Sequence, residues 1–285
     1  MVSSSSVRGV VLAVLVLGTC EHADAFQATW HRVAPRTPLA ALRVAKPPQS
    51  SLATTVIAPT LGAGLANAMF LSSLPEVNSR RRARDLGSFN PLPCAITLGN
   101  TIGWSIYSVL TRNAFVAAAN VPGVLLSGYY VMTMCQVMRP GKELRRLEFT
   151  TLGLVAIHLV AALACTFFLP TAAAMVSLYG LLNNAILLAY YGAPLSSIQE
   201  VLRTRSSTTI HKPMVALNGL NAAFWSSYAL AVGDPYILVP NAIGAALSAV
   251  QMGLCALFPA AAAEGADGAE AEAEADEKVM AAAGA

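Results

Sequence analysis

The chain has 285 residues, of which 55% are hydrophobic and 12% charged. Soluble domains carry about 25% charged residues, so composition alone excludes an ordinary water-soluble globular protein. The net charge of +3 adds a basic body to an acidic tail. The arginines sit in short loops rather than in one basic stripe, so no nucleic-acid partner is implied.

Residues 1–50 read as a targeting leader. Arg8 precedes an apolar run, residues 9–18, that is too short to cross a bilayer. Ala23-Asp24-Ala25 offers a small-x-small cleavage site before Phe26, and Arg32, Arg36, Arg43 and Lys46 follow with no acid. That composition fits either a two-part plastid presequence or a signal peptide with a linker.

Six long stretches then lack any Asp, Glu, Lys or Arg: residues 47–75, 86–111, 113–138, 149–199, 213–233 and 235–263. A transmembrane helix needs about 20 apolar residues. Predicted spans therefore cover residues 52–74, 91–110, 114–138, two within 149–199, 213–232 and 236–258. The stretch 149–199 would be about 76 Å long as one helix, and Pro170 divides it. Residues 260–285 are Ala/Glu/Gly-rich and read as a solvated acidic tail.

The loops after spans one, three and five carry four, four and three Lys/Arg; those after spans two, four and six carry one, none and none. The positive-inside rule places the mature N-terminus outside and the C-terminus on the cytosolic side.

The membrane body holds an internal repeat. Asn100, Trp104, Ser105, Tyr107, Asn120 and Gly123 recur as Asn221, Trp225, Ser226, Tyr228, Asn241 and Gly244, each pair 121 positions apart. Spans one to three thus match spans five to seven. Two three-helix units share one orientation only if a crossing separates them, and span four supplies it. The expected fold is all-α integral membrane: seven transmembrane helices as two parallel three-helix bundles joined by a linker helix (3+1+3). The first repeat would cover residues 51–138, the basic loop and linker helix 139–169, and the second repeat 170–259.

These residues resemble the SWEET (MtN3/saliva) family of sugar transporters, which are parallel-repeat proteins. The resemblance rests on Asn90-Pro91-Leu92-Pro93 through Trp104 and Tyr107, on Ala119-Asn120-Val121-Pro122-Gly123, and on Ala193-Pro194-Leu195. The stretch from Trp225 through Asp234 and Pro240-Asn241 to Gly244 and Gln251 adds to it. It implies a pocket between the repeats, with Asn120 and Asn241 bonding substrate and Trp104 and Trp225 walling it. It also implies hinge prolines, of which Pro93, Pro194 and Pro213 look like three. Ser73 stands 121 positions before Pro194, where the family has the fourth; Pro75 follows two residues later.

An Asn amide donates and accepts, as a sugar hydroxyl does, and an indole offers apolar surface to the C–H face of a sugar ring. Intramembrane charge would signal ion coupling or a charged substrate, and the predicted spans hold none. The expected activity is bidirectional facilitated diffusion of a sugar, a hexose in preference to sucrose. Tyr107, Tyr228, Asn100, Asn221, Gly123 and Gly244 are expected to support the pocket, Asn100 and Asn221 as packing residues beside it. Asn183 and Asn184 are candidates for inter-helix bonds, and His158 for a packing histidine.

No paired carboxylates, metal-ligand cluster or activated nucleophile appears in the membrane body, so no enzyme, metal site or cofactor is expected. The cysteines lack metal spacing and read as small hydrophobes. The alternatives are another PQ-loop-type small-solute transporter or a seven-helix receptor. Partners are the sugar, the lipid bilayer and, by resemblance, a homo-oligomer. The expected location is the plasma membrane or a plastid envelope.

Overall fold

The computed structural model describes residues 51–169 and 171–259. The targeting leader and the acidic tail lie outside the described residues. All regular structure among these residues is helical. A π-helical turn, Ala53–Ile57, leads into α1 (Ala58–Ser72) and α2 (Leu74–Ala83); α3 (Leu92–Thr111), α4 (Ala114–Val137) and α5 (Lys142–Phe167) follow. The chain continues as α6 (Ala172–Tyr190), α7 (Gly192–Thr204), α8 (Lys212–Val232) and α9 (Pro235–Leu257). With α1 and α2 end to end, and α6 and α7 likewise, the helices make seven rods.

Local chemistry sets the rod ends, and it repeats. Asn113 caps α4 by accepting from the Val116 N–H at 3.1 Å. Asp234, 121 residues later, caps α9 by accepting from Tyr236 and Ile237 at 3.0 and 3.1 Å. Such caps satisfy N–H groups that the first helical turn leaves free. At their other ends, α2 and α7 close on left-handed residues Arg84 and Arg205, and α3 and α8 on Arg112 and Gly233. Both pairs are 121 apart, so the duplication reaches the backbone. A non-glycine residue in this region is uncommon, which makes its recurrence telling.

In the first unit α4 packs on both α3 and α1; in the second α9 packs on both α8 and the α6–α7 rod. The third rod is central in each trio. Between units, α1 meets α8 and α3 meets α6. The first rod of either trio therefore faces the second rod of the other, as a two-fold relation requires. Helix α5, the rod without a mate, lies mainly against α3.

Two boundaries differ from expectation. The first rod does not stop at Pro75. It breaks at Ser73, and Pro75 sits in the first turn of α2, where its missing N–H costs no bond. The fourth rod begins at Lys142, so Lys142, Arg145 and Arg146 lie on its opening turns rather than in a loop.

Among the described residues four segments are long and apolar enough to cross a membrane: Ala53–Ala83, Ala114–Val137, Lys142–Phe167 and Pro235–Leu257. Helices α3 and α8 fall outside that set because they carry the Asn, Ser and Thr residues that face inward. Large apolar side chains point outward, among them Leu125, Phe149, Leu152 and Leu181. The inner face is packed in three clusters. One joins both trios through Trp104, Tyr107, Tyr179, Trp225 and Tyr228. The second, with Val77, Tyr130, Met134 and Leu147, serves the first trio and α5; the third, with Val201, Ile210 and Leu254, belongs to the second trio alone. Cys94, Cys165 and Cys255 are buried and free, which fits their reading as small hydrophobes.

The candidate inter-helix asparagines divide. Asn184 donates to the Tyr236 carbonyl at 3.0 Å, whereas Asn183 is fully buried with neither amide atom partnered among the described residues. His158 is a packing residue with one bond, Nε2 to the Gly99 carbonyl at 2.8 Å, and its ring stacks on Tyr179.

Close packing at Gly103 gives a test. A Cβ there would meet the Asn183 Oδ1 atom and lie 2.6 Å from the His158 ring, whereas at Gly64 it would meet nothing within 4 Å. Gly103→Ala is expected to destabilise the detergent-solubilised protein by roughly 1–3 kcal/mol. Gly64→Ala should leave the thermal midpoint unchanged or raise it. Thermal unfolding followed by intrinsic fluorescence separates them.

Candidate functional site: a cavity between the two repeats

A cavity of about 520 Å³ lies between the trios, within the range of about 300–1,000 Å³ usual for small-molecule sites. Asn100, Trp104, Asn120, Asn221, Trp225 and Asn241 all line it. The structure thus brings the repeated Asn and Trp residues to one cavity.

The two central asparagines are held alike. Asn120 donates one N–H to the Val116 carbonyl at 2.9 Å, and Asn241 donates to Ile237 at 2.7 Å. Each bond runs four residues back along its own helix. The second N–H and the carbonyl oxygen of each amide keep no protein partner among the described residues. The carbonyl oxygens of Asn100 and Asn221 are likewise unpartnered. Both line the cavity. No lining residue is Asp, Glu, Lys or Arg.

Away from the basic loops, the cavity ends beneath a roof of aromatic rings. Trp104 meets Tyr107 edge-on at 5.3 Å, and Trp225 meets Tyr228 edge-on at 6.0 Å. Above them two hydrogen bonds cross between trios. Tyr107 Oη donates to both carboxylate oxygens of Asp234, at 3.0 and 2.9 Å. Asn113 Nδ2 donates to Tyr228 Oη at 2.9 Å. Tyr107 and Tyr228 are repeat mates, and so are Asn113 and Asp234. Each tyrosine thus reaches the helix-capping residue of the other trio. Burial pushes the Asp234 carboxyl above its ordinary value, while the N–H donors of Ile237 and Tyr236 and the Tyr107 hydroxyl pull it back.

At the basic end the cavity reaches the exposed residues Thr209 and His211, where it meets solvent. There it is lined by the second trio. Phe70 and Tyr191, also 121 apart, flank it from the first rod of each unit. Their rings lie over glycines that are themselves mates. A Cβ at Gly123 would sit 2.6 Å from the Phe70 ring, and one at Gly244 would sit 2.9 Å from the Tyr191 hydroxyl. Gly123 and Gly244 therefore seat side chains more than they bring backbones together.

Of the four prolines, Pro194 lines the cavity three residues beyond the rod break at Tyr191. Pro75 follows the corresponding break at Ser73. Pro93 and Pro213 each stand second in their helix, α3 and α8. At that place a proline removes no intrahelical bond. All four lie toward the basic end. Sequence reasoning missed Asn113, Phe70 and Tyr191, and it placed Asp234 in a turn without a role. The same offset of 121, extended beyond the most obvious matches, identifies all four.

The crossed latch gives a second test. Asn at position 234 would keep the helix cap, accept from Tyr107 and copy Asn113. Asp234→Asn should therefore retain far more function than Asp234→Ala, which also forfeits about 1 kcal/mol of capping. Thermal midpoints and flux measured together distinguish the two losses.

The sequence model of the family described as "Sugar efflux transporter for intercellular exchange" matches residues 59–141 and 177–263. Among similar proteins, the zebrafish (Danio rerio) Sugar transporter SWEET1 is 27% identical over 176 residues, covering 62% of this chain and 79% of the relative. The human (Homo sapiens) SWEET1 is 25% identical over 191 residues, 67% of this chain and 85% of its own. The rice (Oryza sativa subsp. japonica) Bidirectional sugar transporter SWEET16 is 27% identical over 187 residues, 65% and 57% respectively. A solved eukaryotic SWEET transporter superposes with a TM-score of 0.64 at 23% identity, over 71% of this chain and 95% of that one, a likeness of fold. With the family model covering both repeats, a cavity between duplicated helical trios and a multi-pass membrane fold, the chain belongs to the SWEET (MtN3/saliva) family.

Proposed function

We propose that the protein is a bidirectional sugar uniporter working by alternating access. One observation carries this reading: an uncharged cavity between the repeats holds both Asn amides and both indoles. Asn120 and Asn241 bind sugar hydroxyls from opposite trios, and Trp104 and Trp225 pack on the C–H faces of the ring. The described conformation is the one closed by the Tyr107–Asp234 and Asn113–Tyr228 bonds and open toward the basic loops. With those loops cytosolic, it faces inward. The relatives' names, sugar transporter and bidirectional sugar transporter, support the substrate class. The two indoles bring broad flat surfaces close together, which favours a hexose over sucrose.

In this reading residues 51–138 and 170–259 are the repeats and 139–169 the loop and linker helix. Pro75, Pro93, Pro194 and Pro213 mark the level at which the rods flex, with Pro75 serving the break at Ser73. Lipid and a second copy of the chain are the remaining partners, in the plasma membrane or a plastid envelope. A zwitterionic solute carried by another PQ-loop-type protein would call for charged lining groups, and a seven-helix receptor has no need of matched halves.

Uptake of labelled glucose, fructose and sucrose into a transport-deficient yeast strain tests the proposal. Wild type should carry hexose in preference to sucrose. Asn120→Ala and Asn241→Ala should each lower transport at subsaturating sugar roughly ten- to a hundredfold, the loss of one to three hydrogen bonds. A proton uncoupler should leave downhill flux unchanged; collapse of the flux would sink the uniport mechanism. Pro194→Ala should slow turnover more than it alters half-saturation, and unchanged transport would dismiss the hinge.

A further inference from the structure

The two repeats differ at the basic end of the cavity, and the difference has the chemistry of a binding site. In the first trio Ser127 donates to the Gly123 carbonyl at 2.5 Å, and Tyr130 donates to the Phe70 carbonyl at 2.7 Å. Both side chains are buried and satisfied, and neither lines the cavity. Their mates 121 residues on are Ser248 and Gln251. Both of these line the cavity, each is 7% exposed, and neither has a side-chain hydrogen bond to any described residue. Ser197 of α7 lines the same end, and its hydroxyl is buried without a partner.

The buried Ser197 hydroxyl is costly to leave without a partner, and the Ser248 hydroxyl and Gln251 amide, which have no protein partner and line the cavity, are open to water or a ligand there. Three positions apart on α9, Ser248 and Gln251 share one face. Asn241, Gly244, Ser248 and Gln251 form a single line down that helix. At a rise of 1.5 Å per residue, Ser248 and Gln251 lie about 10 and 15 Å beyond Asn241. A hexose centred between Asn120 and Asn241 does not extend to the level of Gln251.

We propose that Ser197, Ser248 and Gln251 form a second subsite for a neutral, hydroxylated ligand, in line below the asparagine pair. It holds the hexose after it leaves Asn120 and Asn241, or before it reaches them from the basic end. The subsite belongs to the second trio alone, so only the conformation open toward the basic loops presents it. It rests on the sugar-carrier reading and adds an asymmetry which that reading lacks: the two faces of the carrier bind sugar with different strength.

Side-resolved flux tests this. Uptake and efflux of labelled glucose are measured into empty compartments for wild type and Ser248→Ala/Gln251→Met. Ser127→Ala serves as the control, removing a structural hydroxyl at the matching place. Half-saturation for efflux, which enters from the basic end, should rise about three- to tenfold on loss of these hydrogen bonds. That for uptake should change less than twofold. A passive carrier has equal Vmax/KM in both directions, so maximal efflux must rise in step. Gln251→Tyr, which installs the residue of the first repeat, should shift efflux the same way. If the double variant folds poorly, this single variant carries the test. Equal changes in both directions, or none, overturn the subsite while leaving the transporter reading intact. Absence of sugar flux in wild type overturns that reading instead.

Discussion

The arrangement depends on the crossed bonds that tie the trios together at one end. A hydrogen bond to a charged group is worth about 1.5–3 kcal/mol and a neutral one about 0.5–1.5 kcal/mol. Tyr107–Asp234 and Asn113–Tyr228 together therefore contribute a few kcal/mol. Asn113 and Asp234 are also the caps of α4 and α9. Each is fixed to its own helix by the capping bonds and is also bonded to the tyrosine of the other trio.

The opposite end is built differently. The only cluster among the described residues that joins both trios is the aromatic one beside the latch. At the basic end each trio keeps a core of its own. The first trio's core is the larger and is backed by Leu147 of α5; the second trio's is smaller. The basic end therefore shares no apolar cluster between the trios among the described residues. The rods that lead there are already interrupted at Ser73 and Tyr191, where Phe70 and Tyr191 rest over Gly123 and Gly244. Glycine is needed at those two places because any side chain would displace the ring above it.

Much of this was legible in the sequence, since duplication writes itself as a constant offset. Asn120, Asn241, Trp104 and Trp225 could be assigned to one cavity because two like units in one orientation bring like residues to their interface. The latch was harder to see, because Asn113 and Asp234 are different residue types and each reads locally as a turn. Their partnership depends on a two-fold relation that no single segment displays. The start of α5 was misjudged for another reason. Lys142, Arg145 and Arg146 mark an interface in hydropathy, but a helix continues through an interface when its charged side chains can reach water. That Asn100 and Asn221 line the cavity depends on which face of α3 and α8 points inward, and a helix with polar residues on several faces does not announce that.

Helices α3 and α8 show how a membrane protein accommodates a polar site. They contribute Asn100, Trp104, Asn221 and Trp225, and they are the rods least suited by composition to stand alone in lipid. Each is joined to the strongly apolar rod that follows by a tight turn of two residues, Arg112-Asn113 or Gly233-Asp234. A weak span and a strong one thereby form a hairpin, and the pair can be held in the bilayer by the apolar length of α4 or α9. Packing completes the protection. Helix α3 lies against α4, α5 and α6, and Val109 is the one large apolar side chain it exposes among the described residues. Helix α8 has no linker rod beside it and shows Leu217, Leu220 and Leu230 outward. The unmatched helix α5 therefore does more than restore the orientation of the second repeat. It covers one of two equivalent polar rods, so the halves of a duplicated protein meet different surroundings.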